Sequence, residues 1–347
     1  MKKYIEKISK GFNLEKDEMI EAMDKIFSKK INDIQIASFL IALKTKGESI
    51  EEILGAAEYL KSKSIKVNAK ENGVDLCGTG GDGLNTFNIS TLAALIVASC
   101  GVSVYKHGNK SVSGKCGSAD ILDKMGVNIF LNSKEIEKCV DKTNFGFIYA
   151  PLFHPILKEI GHIRKQIGVP TIFNILGPLI NPANVKIQSI GVYNKNLISK
   201  MIEVLKHLGV KRAIVFSSEE GLDEISTFSK TYVSELVNGK IREYILTPSC
   251  FGISKQSIKD LECKKIEDYE DSFKNILLGK DLIKSRSPLI NAAAALYLTD
   301  KVSTYKEGYK LALDALEKDK TKKLLISYIK ESGGEINDFR WNLQLYN

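Results

Sequence analysis

Apolar residues in the first seventy positions recur every three to four residues, which is the spacing of amphipathic helices. Residues that favour helix starts precede these stretches: Asn13 before residues 15–29, Asn32 before the next stretch, and Ser49, which begins a capping box with Glu52. No convincing strand pattern is found among them. The pattern predicts a small all-helical domain over residues 1–70.

From Val74 onward, short runs rich in β-branched and aromatic residues alternate with helical patterns. Such alternation predicts a central, mainly parallel sheet flanked by helices on both faces, in a large α/β domain over residues 71–347. Asn238-Gly239 lies between two apolar runs and predicts a hairpin, which makes the sheet mixed. The predicted strands begin at residue 74 and cover 102–106, 127–131, 145–150, 187–193 and 212–217; the predicted helices cover 118–125, 154–167, 196–208, 288–298 and 305–329.

A stretch with two prolines, Gly177-Pro178-Leu179-Ile180-Asn181-Pro182, interrupts this alternation. Proline fixes φ and lacks a backbone donor, so the stretch predicts a rigid turn. We expect the chain near residues 165–185 to return across the helical domain.

Composition is that of an ordinary globular protein, with 44% hydrophobic and 27% charged residues among 347. No apolar run is long enough to span a bilayer, and the six cysteines show no metal-ligand spacing, so we expect a cytoplasmic protein with reduced thiols. The lysines behind the net charge of +8 are spread along the chain. An anionic small molecule explains that charge as well as nucleic acid does. The tightest lysine clusters, such as the one at residues 318–323, have the pattern of a solvated helix face.

A first glycine-rich loop, Gly78-Thr79-Gly80-Gly81-Asp82, follows the strand at Val74 and precedes Asn88-Ile89-Ser90-Thr91. Glycines allow a turn whose N–H groups converge, and the helix N-terminus beyond it adds partial positive charge. The pattern favours a phosphate-binding loop, although a tight connection has the same composition. The Asp82 carboxylate repels phosphate, so ribose hydroxyls, backbone amides or a metal are its expected partners.

A second loop, from Lys106 to Asp120, combines the charges of Lys106 and Lys110 with serine hydroxyls and three glycines. A purely structural turn needs only one or two such residues, so anion binding is favoured. The loop also holds His107, for which we expect a substrate-lining role, because a lone histidine is more often a packing residue than an acid or base. Two such loops indicate a substrate with two phosphate ends.

Asp223-Glu224 follows the strand that ends near Phe216, where the carboxyl ends of parallel strands face a ligand crevice. Adjacent carboxylates are often only solvated, but they also supply the hard oxygen ligands that Mg²⁺ prefers. Arg164, in the predicted helix over 154–167, is either an exposed charge or a residue whose planar guanidinium binds both oxygens of a carboxylate.

These motifs together resemble the anthranilate phosphoribosyltransferase family, in its order and over nearly the whole chain. The resemblance rests on Gly78-Thr79-Gly80-Gly81-Asp82, Asn88-Ile89-Ser90-Thr91, Lys106-His107-Gly108-Asn109, Ser113-Gly114, Gly117-Ser118-Ala119-Asp120, Arg164, Thr171 to Leu179 with Asn181-Pro182, and Asp223-Glu224.

The resemblance implies Mg²⁺-dependent transfer of the 5-phosphoribosyl group from phosphoribosyl pyrophosphate (PRPP) to the amine of anthranilate, a step of tryptophan biosynthesis. It also implies two Mg²⁺ ions per subunit, a homodimer formed through the helical domain, and no binding to nucleic acid or membrane. An aromatic amine arrives unprotonated, and catalysis rests on neutralising the leaving group and holding the amine near the anomeric carbon, so no residue is expected to act as a general acid or base.

The site residues that the resemblance implies fall into three sets. PRPP is expected at Gly78, Gly81, Asp82, Thr86, Asn88, Ile89, Ser90, Thr91, Lys106, His107, Gly108, Asn109, Lys110, Ser111, Val112, Ser113, Gly114 and Ser118; anthranilate at Gly78, His107, Asn109 and Arg164; and Mg²⁺ at Ser90, Asp223 and Glu224.

One residue departs from the family pattern: Lys110 stands where the resemblance leads us to expect arginine, which keeps the charge but not the bidentate fork. Two other functions compete. A pyrimidine nucleoside phosphorylase would handle a single phosphate and would not need the acidic pair. A non-catalytic nucleic-acid-binding relative should lack that pair or Arg164, and this chain has both.

Overall fold

The computed structural model describes residues 1–28, 30–81, 83–84, 86–111, 116–263 and 265–336, with Ile266 described by its backbone only. The predicted site residues Asp82, Val112, Ser113 and Gly114 lie outside the described residues.

The N-terminal region is helical, as predicted. It comprises α1 (Lys2–Ser9), α2 (Lys16–Phe27), α3 (Asp33–Lys46) and α4 (Ile50–Lys63). Asn32 caps α3 by accepting from the Gln35 N–H, and Ser49 with Glu52 forms the predicted capping box. The prediction that Asn13 caps α2 is wrong: Glu15 is the N-cap, and its N–H donates to the Glu18 carboxylate.

A later segment packs on this bundle. It contains α8 (Ala150–Phe153), α9 (Gly161–Ile167) and α10 (Phe173–Leu176), with 3₁₀ turns at Pro155–Ile160 and Gly177–Leu179. The first turn contacts α2, α9 contacts α3, and α10 contacts α4. The single helix predicted over 154–167 is therefore two elements, because Pro155, which lacks a backbone donor, starts a separate 3₁₀ turn.

Within the described residues, seven strands form one sheet. They are β1 (Val74–Gly78), β2 (Val104–Gly108), β3 (Phe145–Tyr149), β4 (Ile187–Gly191), β5 (Arg212–Ser218), β6 (Thr231–Val237) and β7 (Lys240–Leu246). Their order across the sheet is β3-β2-β1-β4-β5-β6-β7. The strands β1 to β5 run parallel, and β6 and β7 are antiparallel. Asn238 and Gly239 join the last pair with φ of 48° and 82°, as a type I′ turn requires. The mixed, mainly parallel sheet is confirmed.

The strand predicted at 127–131 is not formed. Val127, Ile129 and Leu131 are buried as the alternation requires. The intervening backbone groups, however, pair with side chains, since the Asn128 N–H donates to Ser332 Oγ and the Phe130 N–H to Asn128 Oδ1. An alternating pattern therefore marks an extended, half-buried segment but does not supply a strand partner.

The remaining helices cover the sheet. They are α5 (Ile89–Ser99), α6 (Ser118–Lys124), α7 (Ser133–Thr143), α11 (Ile198–His207), α12 (Ile266–Leu277), α13 (Leu282–Leu298), α14 (Tyr305–Glu317) and α15 (Lys320–Glu331). The helix predicted over 305–329 is broken at Asp319, whose φ is 57°. The predicted amphipathic helix near the C-terminus, α13, is instead buried on nearly all sides from Ser287 to Leu296.

Two apolar cores result. One packs α5, α13 and other helices on one face of the sheet, and the other joins the helical bundle to α11 on the opposite face. All six cysteines are free thiols. Among the described residues, no helix has the length and hydropathy needed to cross a membrane.

Candidate active site

The site lies where the strand order reverses. β1 has β2 on one side and β4 on the other, and such a switch point opens a crevice at the carboxyl ends of the strands. Gly78 ends β1 and pairs with Gly191, which ends β4. The first glycine loop and the acidic pair after β5 both leave the sheet at this edge.

The two strand-end glycines make room for the acidic loop. A Cβ at Gly78 would lie 2.2 Å from Asp223 Oδ2, and one at Gly191 would lie 1.7 Å from the Asp223 carbonyl oxygen. Only glycine therefore lets the acidic loop lie against both strands. Sequence reasoning identified Gly78 but missed Gly191, which has no glycine-rich context to mark it.

The acidic pair faces the first loop directly. Asp223 Oδ2 accepts the Gly80 N–H at 2.7 Å, and Glu224 Oε1 accepts the N–H of Ser90, in the first turn of α5, at 3.1 Å. Gly80 and Gly81 have φ of 64° and 82°, a conformation that glycine adopts without strain. The structure thus brings the glycine loop, the α5 N-terminus and both predicted metal carboxylates together.

Lys106 supplies a buried positive charge beneath these groups. Its side chain is 2% exposed, and Nζ donates to the Leu76 carbonyl at 2.6 Å and lies 3.3 Å from Ser90 Oγ. Burial lowers the pKa of the Lys106 ammonium, while Asp75 opposes that shift.

Asp75, which the sequence analysis did not single out, is fully buried on β1. Its burial raises the pKa of the carboxyl to about 6, against the opposing effect of Lys106. No signal in the sequence separates this aspartate from an ordinary polar residue of a strand.

The second loop is closed by Asp120 of α6. Its Oδ2 accepts the N–H groups of Ser111 at 2.9 Å and Gly117 at 2.8 Å. Ser118 Oγ donates to the Asn109 carbonyl at 3.3 Å, and a Cβ at Gly108 would lie 2.2 Å from that hydroxyl. These contacts hold the two described ends of the loop, residues 109–111 and 117–118, against the start of α6.

Asn88 links the two loops, because its Nδ2 donates to the Cys116 carbonyl at 2.8 Å. Thr91, in the first turn of α5, is 1% exposed, and its Oγ1 has no partner among the described residues. The neighbouring Ile89 is buried and its N–H donates to the Phe87 carbonyl, so neither its side chain nor its amide faces the crevice.

Thr86 pairs with Glu262 in an isolated antiparallel bridge. Lys110 is exposed, with Nζ 3.5 Å from Asp123.

His107 lies at the end of β2 and faces the segment over residues 165–185, called the returning segment below. Its Nδ1 is 3.2 Å from the Gly177 carbonyl, and its ring centroid is 5.2 Å from that of His154. Burial lowers the pKa of His107 to about 3, so the ring is neutral at pH 7. A neutral ring fits the predicted lining role.

Arg164 lies on α9, in the segment that packs on the helical bundle. Its guanidinium stacks over Phe173, 5.6 Å from the ring centroid, and burial lowers its pKa. In the part of the chain that the structure describes, no carboxylate lies within ion-pair distance of it. A half-buried arginine without a counter-ion is suited to an anionic ligand.

The residues predicted to hold Mg²⁺ fit a hard divalent cation. Ser90, Asp223 and Glu224 offer only oxygen donors, and Mg²⁺ binds through one or two carboxylates together with water and substrate phosphate. No cluster of three or more histidine, cysteine or acidic side chains suited to a metal is present in the described residues. Two carboxylates and one hydroxyl would leave coordination positions for water and for substrate phosphate.

Comparison with known proteins gives matches over nearly the whole chain. Residues 2–64 match the helical bundle domain of a glycosyl transferase family, and residues 70–322 match its a/b domain. The anthranilate phosphoribosyltransferase of Acetivibrio thermocellus is 44% identical over 95% of this chain and 96% of its own. That of Alkaliphilus metalliredigens is 45% identical over 91% and 94%.

Solved structures agree. Anthranilate phosphoribosyltransferase from Thermus thermophilus superposes with a TM-score of 0.88 at 31% identity, covering 95% of this chain and 99% of its own. The Saccharomyces cerevisiae enzyme in complex with PRPP and Mg gives a TM-score of 0.87 at 27% identity, covering 95% and 97%. On these matches, this chain, which carries both glycine loops, the acidic pair and Arg164, belongs to the anthranilate phosphoribosyltransferase family of pentosyltransferases.

Proposed function

We propose that this chain transfers the 5-phosphoribosyl group of PRPP to the amine of anthranilate, releasing pyrophosphate, through the residues of the switch-point crevice. The observation that carries the assignment of the site is the contact of Asp223 and Glu224 with the amides of Gly80 and Ser90. This contact places two carboxylates that can bind a metal beside backbone N–H groups that can bind an anion. A diphosphate bridged by a metal requires both kinds of group.

PRPP is proposed to bind along both glycine loops. The first loop and the α5 N-terminus present backbone amides, and Lys106 supplies charge from below. Asp223 and Glu224 accept hydrogen bonds from backbone N–H groups that could otherwise donate to phosphate oxygens. The two carboxylates therefore compete with phosphate for these N–H groups. We infer that PRPP binds well only with Mg²⁺, which gives the two carboxylates another partner. Asp82, Val112, Ser113 and Gly114 belong to this proposal by sequence alone.

Mg²⁺ is proposed to be held by Ser90, Asp223 and Glu224, with two ions per subunit. When bound, it neutralises charge on the departing pyrophosphate. The chain's own contribution is to fix the diphosphate through backbone amides and Lys106, so that the sugar's anomeric carbon faces the amine. The new C–N bond forms as the C–O bond to pyrophosphate breaks, and the sugar carries positive charge while both bonds are partial. The nitrogen then loses one proton to water.

Anthranilate is proposed to place its carboxylate on Arg164, with Asn109, His107 and the Gly78 backbone lining the pocket. Arg164 is charged and has no counter-ion among the described residues. His107 is neutral and therefore does not protonate the amine. No residue is assigned as a general acid or base.

A homodimer formed through the helical domain is also proposed. Helix α3 buries Phe39 and Leu40 against the bundle, yet leaves Ile34 76% exposed and Ile41 37% exposed on its outer side. Phe12, after α1, is 62% exposed. Apolar residues on both sides of one helix indicate a second packing partner. The free thiols are consistent with the cytoplasmic location that we infer.

The test is an assay with PRPP, anthranilate and Mg²⁺, in which anthranilate fluorescence falls as product forms. We expect turnover by the wild-type protein and its loss in a variant that combines Asp223→Asn with Glu224→Gln. The double variant of two exposed acids, Glu51→Gln with Glu267→Gln, is the matched control and should keep full activity. Turnover that survives the first double substitution contradicts the assigned metal site.

A further inference from the structure

The loop over residues 221–226, which carries the acidic pair, is anchored through its backbone amides. The Leu222 N–H donates to Ser218 Oγ at 2.8 Å, and the Ser226 N–H donates to Thr231 Oγ1 at 2.9 Å. Both anchors are local, since Ser218 ends β5 and Thr231 begins β6. They fix the two ends of the loop but not its middle.

The middle of the loop is held from a distant helix. The Ile225 N–H donates to Oδ1 of Asn291, on α13, at 3.1 Å, and Asn291 Nδ2 lies 3.5 Å from the Ile225 carbonyl oxygen. Asn291 Nδ2 also donates to the Ser287 carbonyl, one turn earlier on its own helix, at 2.9 Å. The amide is thus bonded on both sides and is only 4% exposed.

The peptide bond that Asn291 holds is the one that joins Glu224 to Ile225. A peptide unit is planar, so fixing its N–H also fixes the carbonyl of Glu224 and restricts rotation next to that residue. The Glu224 carboxylate meets the Ser90 N–H, at the start of α5. The helix α13 packs against α5, which carries Ser90, and against β5, which precedes the loop with Glu224. One helix therefore supports both partners of the contact between Glu224 and Ser90.

An amide in this position needs a reason. The residues that follow it, Ala292 to Leu296, are buried and apolar, and a polar group there costs free energy unless it is bonded. Apolar residues would fill the same space without that cost. The bonded amide is therefore better explained by what it holds than by packing.

We propose that Asn291 is a positioning residue that orients the acidic pair for Mg²⁺ and PRPP. The proposal rests on the proposed function of Asp223 and Glu224. Residues that orient metal ligands from behind commonly change metal affinity or activity by about 10- to 100-fold when they are removed.

The experiment compares Asn291→Ala with Ser287→Ala, a substitution on the same buried helix whose Oγ has no partner among the described residues. PRPP binding is measured by calorimetry with Mg²⁺ and without anthranilate, so no turnover is needed. KM for each substrate and the Mg²⁺ concentration for half-maximal rate are then measured, with thermal melting to report folding.

We expect Asn291→Ala to weaken Mg²⁺-dependent PRPP binding and to raise the half-maximal Mg²⁺ concentration, each by about tenfold or more. The KM for anthranilate should change less than twofold, and Ser287→Ala should change none of these. If Asn291→Ala gives no cooperative melting, Asn291→Ser, which keeps a small polar side chain, carries the test with the same expectations.

A folded variant that melts at a lower temperature but keeps wild-type PRPP affinity and Mg²⁺ dependence overturns the proposal and leaves Asn291 a purely structural residue. Failure of the wild-type protein to bind PRPP with Mg²⁺ would instead contradict the proposed function itself. The two failures are therefore distinguishable.

Discussion

The Asn181 side-chain amide donates to Oδ2 of Asp75 at 2.8 Å, joining residues 106 positions apart in the chain. The same nitrogen donates to the Tyr105 carbonyl at 2.9 Å. One amide thus connects the returning segment to both β1 and β2. Asp75 in turn lies close enough to Lys106 to affect its pKa, so this bond links the returning segment to the charge beneath the proposed PRPP site.

Replacing this amide should destabilise the fold. Asn181→Ala removes the amide that donates to the buried Asp75 carboxylate, which we expect to lower the free energy of unfolding by about 2 kcal/mol. Chemical denaturation measures the change. The exposed Asn68, whose amide also donates to a carboxylate, that of Glu137 at 2.9 Å, is the control. Asn68→Ala should change stability by less than about 0.5 kcal/mol, and equal effects would show that burial is not the cause.

Gly191 should not tolerate even a methyl group. The Cβ of Gly191→Ala would overlap the backbone of Asp223, so the acidic loop must move. We expect a loss of about 2 kcal/mol in stability together with a marked loss of turnover. Gly161, at the start of α9, has open space at the Cβ position and an ordinary helical φ of −59°. Gly161→Ala should be neutral or slightly stabilising, and a similar loss there would refute the steric explanation.

Arg164 should affect one substrate selectively. If its guanidinium binds the anthranilate carboxylate, Arg164→Ala should raise KM for anthranilate at least about tenfold and leave KM for PRPP within twofold. Steady-state kinetics with each substrate varied in turn measure both constants. Lys165→Ala, which removes the neighbouring exposed charge, should change neither. Equal effects of Arg164→Ala on the two substrates would reject the assignment.

His154 should make stability depend on acid pH. Burial lowers its pKa from 6.5 to about 4. The unfolded chain therefore takes up a proton on this ring at higher pH than the folded protein does. The contribution of His154 to the free energy of unfolding is complete above pH 6.5 and is lost as the pH falls towards 4. The loss attributable to His154 is about 3 kcal/mol by pH 4.

The measurement is the free energy of unfolding from pH 7 to pH 4 for the wild-type protein and for His154→Gln. The variant should lose less stability over this range, because glutamine does not titrate. Gln166→Ala, at an exposed residue that carries no titratable group, is the control and should keep the wild-type slope. Parallel curves for wild type and His154→Gln would contradict the prediction.

Ile34 should contribute to self-association. Ile34→Lys places a charge on the exposed side of α3, and we expect it to weaken the proposed dimer at least about tenfold, as measured by sedimentation velocity across a concentration series. Ile245→Lys, at a residue 49% exposed on β7, is the control and should sediment as the wild type does. A wild-type protein that sediments as a monomer at all concentrations would reject the dimer.

Most of the architecture could be predicted because it depends on local patterns. The capping box at Ser49, the Asn238-Gly239 hairpin and the alternation of strands and helices each depend on a few neighbouring residues, and each prediction is confirmed. The strand at 127–131 and the cap at Asn13 were wrong, because strand pairing and the choice of cap depend on which donors and acceptors the fold brings near.

The sequence by itself determined the residue types of the site and their family, because the glycine loops, the acidic pair and Arg164 are contiguous or ordered signals. Only the tertiary structure could decide that Gly191 makes room for Asp223, that Asp75 and Asn181 meet beneath the proposed PRPP site, and that Asn291 holds the peptide after Glu224. Each of these joins residues far apart in the chain through a contact of a few ångströms. No local pattern encodes such a contact, since it exists only once the sheet and α13 have packed.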